Sequence, residues 1–241
     1  LRAVTPCAVQ LTSSYRVEKG LIVSQPTQSP QPTEAGFGGS PIGDYLGELA
    51  AKVPAPGGGA VAALHAAQGA ALVAMVARYT TRAKDAEHRP VVDRIIEAAD
   101  AARERALALA DADAAAFTAV GAAYKLPKES ESEKAERGAA IEAALLEAAR
   151  VPAAVVDAAD GVLALAAELL PIGNTNVVTD IGAAGAAARA AAVTSQLNIE
   201  INLGSLPDAR AAAFTEVLGR ISEITARADS LHQEVLHAVR T

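Results

Sequence analysis

Asp111 and Asp113 stand one residue apart and are followed by Phe117 and Tyr124. On a helix, Leu109, Asp113, Phe117, Val120 and Tyr124 fall along one face, because they step by four, four, three and four. That face puts Asp113 inside an apolar stripe, while Asp111, about 200 degrees further round, is expected nearer solvent. A carboxyl group in an apolar stripe costs stability unless paired, and burial raises its pKa toward the range where it can exchange a proton near neutrality. A plain buried ion pair is the alternative that the same placement allows.

Three other groups could serve a ligand. Pro54-Ala55-Pro56-Gly57-Gly58-Gly59 precedes a long run of small residues. Three glycines permit close backbone approach, and the first N–H groups of the following helix point at whatever sits there. No Gly-Lys-Ser/Thr follows, so this is not a phosphate-binding Walker loop, and a tight interhelical turn would read the same way. Lys125 and Lys128 close the aspartate-bearing helix, with Lys134 and Arg137 on the next. They suit either an anionic ligand tail or the negative end of the helix dipole. Gly173-Asn174-Thr175-Asn176 leads into Asp180, and Asn176, Asp180, Thr194, Asn198 and Asn202 fall near one line along the helix that follows. Asn174 or Thr175 can cap that helix, and an acid is favoured in its first turn. Asp180 and Asn198 are about 27 Å apart along the helix, so one small-molecule site within a chain cannot use both. Either one end is structural, with Asn198 and Asn202 as polar interhelix contacts, or a second subunit brings opposite ends together.

Other chemistries find no support. His65, His88, His232 and His237 lack a metal-ligand spacing, so no metal is expected. A single cysteine, Cys7, excludes an intrachain disulfide, and no Gly-x-Ser-x-Gly elbow is present. A net charge of −7 without a Lys/Arg stripe argues against nucleic acid. The uncharged stretch 53–77 contains two prolines, four glycines, His65 and Gln68, too broken for a good membrane span. The N-terminus lacks a secretory pattern, and a cytoplasmic location is expected.

The elements that must hold these residues are helices. Of 241 residues, 51% are hydrophobic but only 3% aromatic, so the apolar content is mostly Ala, Leu and Val. Helices are expected at about 41–53, 58–83, 89–125, 131–149, 152–170, 176–201 and 208–240, with breaks at Pro54, Pro90, Pro127, Pro152, Pro171 and Pro207. The last carries a seam of Val217, Ile221, Ile224, Ala228, Leu231, Val235 and Ala238, as an amphipathic packing helix or a coiled coil would. Residues 1–40 read as a low-complexity tail or linker, although Val9, Leu11, Tyr15 and Val17 alternate as a strand would. The expected fold is all-α, a single-domain bundle of long Ala-rich helices over 41–241. Small side chains pack closely but give each helix little apolar area to bury, which favours self-association.

Taken in order, Pro54-Ala55-Pro56-Gly57-Gly58-Gly59-Ala60-Val61-Ala62-Ala63, Asp113 with Ala116-Phe117, Lys125-Leu126-Pro127-Lys128, Arg137 and Val151-Pro152 resemble the cyclodeaminase/cyclohydrolase family of folate enzymes. The resemblance continues through Gly173-Asn174-x-Asn176-x-x-x-Asp180 and Asn198-Ile199-Glu200-Ile201-Asn202, and spans about Ile42 to Leu236. Ala60 stands where Ser is often found, as does Thr179. The resemblance implies an all-helical, dimer-forming enzyme acting at the N5/N10 bridge of tetrahydrofolate, either a formiminotetrahydrofolate cyclodeaminase or a methenyltetrahydrofolate cyclohydrolase. No cofactor beyond the folate substrate is implied. Asp113 would be the proton-transfer group and Asp180 the second carboxylate. Gly57, Gly58, Gly59, Asn174 and Asn176 would line or bond the pterin, with Asn198 and Asn202 beside them, and Lys125, Lys128 and Arg137 would receive the glutamate tail. A non-catalytic folate-binding or scaffold oligomer of the same fold is the alternative.

Overall fold

The computed structural model describes residues 36–241, apart from the side chain of Lys84. These residues lie within one compact unit, Thr33–Thr241. Cys7 and the alternating stretch from Val9 to Val17 lie outside the described residues. Among those described, every regular element is helical. They are α1 (Ile42–Leu49), α2 (Gly58–Arg78), α3 (Arg89–Tyr124), α4 (Glu131–Leu169), α5 (Val178–Leu203), the short α6 (Asp208–Ala211) and α7 (Thr215–Arg240).

At the centre is α2, packed against α3, α4 and α5. Its buried face is largely alanine: Ala60, Ala63, Ala66, Ala67, Ala70, Ala74 and Ala77, with Val73 and Val76. Methyl-sized side chains let four helices share this core, with larger residues such as Ile95, Leu163, Ile181 and Ile199 filling around it. Two stretches, α2 and Asp85–Tyr124, are long and apolar enough by length and composition to cross a bilayer. Of the α2 window, 61% is buried inside the bundle, and the other stretch interposes Arg94, Glu97, Asp100 and Arg103.

On α7, the seam Ile221, Ile224, Ala228, Leu231 and Val235 is buried. It packs on α5 and α4 of its own chain, while Ala238 at the end is exposed. Arg220 bonds Asp157 and Asp160, and Arg227 bonds Asp160, which tie the helix to α4. The seam is therefore an intrachain packing face rather than a coiled coil with a second helix of its own kind.

One expected break is absent. The residues placed in two helices, 131–149 and 152–170, form the single helix α4, with Pro152 inside it. Proline has no N–H to offer the carbonyl four residues back, which is that of Ala148. Asn202 on α5 replaces the missing donor: its Nδ2 lies 3.1 Å from the Ala148 carbonyl oxygen and also donates to Asn198 O. Elsewhere α1 stops at Leu49 and α2 at Arg78, both short of expectation, and α5 begins at Val178.

Candidate active site

The glycine loop and Asp113 meet. Gly57 caps α2 in an extended conformation (φ −139°, ψ −161°) and has no side chain to bond the orphan N–H groups of the first turn. Asp113 on α3 does so instead, accepting from the Ala60 N–H. The approach is so close that a Cβ on Gly59 would stand 2.0 Å from Asp113 Oδ1, so only glycine allows the carboxyl this seat. Gly58 faces Asn198, whose Nδ2 would be 3.8 Å from a Cβ there, while Gly57 opens onto free space. Asn198 donates through Nδ2 to Thr194 O. Burial pushes the Asp113 carboxyl above the ordinary aspartate pKa, and the Ala60 N–H partly offsets that rise.

The face beyond Asp113 departs from expectation. Phe117 is 56% exposed and Tyr124 46% exposed, while Leu109 and Val120 are partly buried, so the stripe is open at its two aromatic positions in a single chain. Asp111 is exposed, as its angle implied, but it is engaged: its Oδ1 accepts from the Phe37 N–H at 2.8 Å. Lys125 and Lys128 are exposed at the end of α3. Arg137 donates to Tyr124 O and stands 5.6 Å over the Tyr124 ring, so it closes the end of α3 and stacks on it.

Asn174, Asn176 and Asp180 lie at the opposite end of the bundle. Asn174 is buried and fully occupied within the chain: its N–H donates to Thr80 Oγ1 and its Nδ2 to Tyr79 O, and its Oδ1 accepts from the Asn176 N–H. Arg82 adds a bond to Gly173 O while ion-paired with Asp85. The segment before α5 is thus latched to the end of α2 through Asn174. The Asn176 side chain is exposed, and Asp180 is half-buried in the first turn of α5. Since Asn198 faces Gly58, Asp180 stands roughly 27 Å from the Asp113 end of its own chain. A groove of about 680 Å³ between the end of α4 and α7 is lined by Leu170, Pro171, Glu234 and His237 among others, and holds no candidate residue.

Residues 41–218 match the family model described as formiminotransferase-cyclodeaminase. The chain belongs to the formiminotransferase-cyclodeaminase family. A methenyltetrahydrofolate cyclohydrolase of Methylorubrum extorquens is 35% identical over 206 residues, covering 85% of this chain and 98% of that one. The formimidoyltransferase-cyclodeaminase of Sus scrofa is 34% identical over 185 residues, and this chain spans 34% of its length. A crystal structure of formiminotetrahydrofolate cyclodeaminase from Thermotoga maritima superimposes with a TM-score of 0.71 at 29% identity, covering 84% of this chain and 97% of that one.

Tyr45, which the spacing of the sequence does not single out, is buried on α1. It is 6% exposed, and its ring packs edge-on against Phe37 at 5.6 Å. The signal is Phe37 and Tyr45 on either side of Gly38-Gly39-Ser40-Pro41, where the tail expected over 1–40 meets the first expected helix. An aromatic pair there implies a segment docked on the bundle.

Proposed function

We propose that the chain is a folate one-carbon enzyme that acts at the N5/N10 bridge, with Asp113 transferring the proton. The observation that carries this reading is the Asp113 carboxyl, seated on Gly59, held by one backbone N–H and raised in pKa by burial. In the hydrolase direction a water proton passes to the ionised Asp113 as oxygen bonds the cationic methenyl carbon. The tetrahedral carbon then collapses: the C–N5 bond breaks, the same proton goes to N5, and the remaining hydroxyl proton is released to water as the C=O forms, leaving the formyl group on N10. A carboxylate suits both steps, because it attracts the amidinium and relays its proton at a poised pKa. In the deaminase direction N10 attacks the formimino carbon, and the N10 proton passes through Asp113 to the leaving ammonia.

Full-length similarity to a stand-alone cyclohydrolase supports the first direction. The solved cyclodeaminase of the same fold supports keeping the second. Lys125, Lys128 and Arg137 follow Asp113 at the far end of the exposed face of α3 and receive the glutamate tail. No cofactor or metal takes part beyond the folate.

The working form is a homodimer in the cytoplasm, bound to neither membrane nor nucleic acid. Leu197 and Ile201, 68% and 75% exposed, flank Asn198, and Ile42 and Leu46 flank Tyr45 with similar exposure. Apolar side chains of this size around a site favour a covering partner. A twofold partner running antiparallel brings its Asn176 and Asp180 to the Asp113 end, which resolves the 27 Å separation.

Spectrophotometry of the purified chain tests the reading. Loss of the near-ultraviolet absorbance of methenyltetrahydrofolate well above the spontaneous rate supports the hydrolase. Appearance of that absorbance from formiminotetrahydrofolate, with ammonia release, supports the deaminase. Silence in both assays overturns the enzyme reading.

A further inference from the structure

Tyr45 buries a hydroxyl for which the described residues supply no hydrogen-bond partner. Leaving a buried hydroxyl unbonded costs stability, and a phenylalanine would fill the same volume and pack on Phe37 equally well. The hydroxyl is therefore unexplained by packing. Its position is fixed from two sides. The Phe37 ring meets Tyr45 edge-on, and the Phe37 N–H is anchored to Asp111, two residues before Asp113 on the same helix. Burial, and then the charge of Asp113, push the Tyr45 hydroxyl above its ordinary pKa, so it stays protonated and keeps its O–H to donate.

The groups facing Asp113 leave room for such a donor. From α2 come the Gly59 backbone and the Ala60 N–H, and from α1 comes Tyr45. The nearby acid on α3, Asp111, is turned to Phe37. Helix α4 meets this stretch of α3 through Ala148 and Val151 against Ala116, and α5 presents the neutral Asn198 to Gly58. No cation among the described residues is there to stabilise the ionised carboxylate.

We infer that Tyr45 is a positioning residue whose hydroxyl donates to the Asp113 carboxylate when that carboxylate is ionised, and so sets the pH at which the site works. What carries this is a buried donor without a partner among the described residues, on a segment pinned through Phe37 to α3 two residues from an acid that has a single backbone donor. The role assigned to Asp113 rests on the proposed folate reaction, but the hydrogen bond does not, so the two are separable.

The experiment is a carbon-13 carboxyl titration of the aspartates in the full chain and in Tyr45→Phe, with Asp113→Asn identifying the resonance. Loss of the donor raises the Asp113 midpoint by about 0.5–1 pH unit, and the acid limb of kcat/KM for methenyltetrahydrofolate moves the same way. Below the Asp113 midpoint, where the carboxyl is protonated and the proposed bond is absent, the melting temperature is held or raised. An unchanged or lowered midpoint overturns the inference, as does a fall in melting temperature with no movement of the midpoint, which would mark the hydroxyl as structural. If the wild-type chain turns over neither folate, the proposed function fails, and the titration still decides the role of Tyr45.

Discussion

At the Gly57–Gly59 end, Asp113 has one backbone donor and Tyr45 a buried hydroxyl without a partner. At the other end, Asn174 uses its backbone N–H and both polar atoms of its side chain within the chain, and Arg82 is tied to both Asp85 and Gly173. At each end a short polar side chain meets the start of a helix, Asp113 at α2 and Asn174 at the turn before α5. One is a satisfied joint, and the other holds polar groups in reserve. Buried polar atoms are normally bonded, so a cluster that is under-satisfied in one chain marks where a ligand or water completes it.

Asp180 breaks this symmetry, because it projects from the satisfied end yet is assigned to the reaction. If a partner carries it to the Asp113 end, then Asp113→Asn and Asp180→Asn homodimers are each nearly inactive. Mixing the two chains under conditions of subunit exchange restores about a quarter of wild-type turnover, since half the dimers are mixed and each holds one intact site. No recovery in verified mixed dimers would place both carboxylates in separate tasks.

Gly59→Ala probes the reserve at the first end. A Cβ there displaces the Asp113 carboxyl from its seat without removing any charged group. Turnover should fall by about 100-fold, as for an ångström-scale misplacement of a catalytic group, with helicity by circular dichroism retained. Wild-type rates in a folded Gly59→Ala protein would show that the seat is dispensable.

The smallest effect concerns a polar residue that is satisfied although it lies near the first end. Asn202→Ala leaves the Ala148 carbonyl unbonded and should cost about 1–2 kcal/mol in urea unfolding. In a Pro152→Ala background the helix supplies its own N–H, and the same change should cost less. Equal costs in both backgrounds would separate Asn202 from the Pro152 defect.

Much of this was legible beforehand. Six long or medium helices, their proline boundaries and the α7 seam follow from local pattern, which needs no knowledge of neighbours. The continuity of α4 was not legible, because Pro152 is tolerated only through an amide that arrives from residue 202, 50 positions later. The site was half legible. The glycines, Asp113 and Asn198 do converge, but spacing could not show that the group approaching Gly59 is Asp113 itself rather than a ligand. Asn174 and Asn202 bond the backbone of their own chain, which spacing does not show, because asparagine has the same donors and acceptor whether it bonds a pterin or a backbone. Tyr45 was missed since its value lies in a vacancy, which no sequence displays.

The account stands on Asp113. The measurement that tests it most directly is turnover of Asp113→Asn with methenyltetrahydrofolate and formiminotetrahydrofolate, alongside its unfolding free energy as a function of pH. Because burial raises the Asp113 pKa in the folded chain, the native state holds this proton more tightly than the unfolded one. Wild-type stability contributed by this group is therefore present at low pH. It is lost as pH climbs from the ordinary aspartate value, about 3.9, through the raised folded value. The account predicts an Asp113→Asn protein at least about 100-fold slower and, above that window, more stable than wild type. Full turnover in a normally folded Asp113→Asn protein would contradict it.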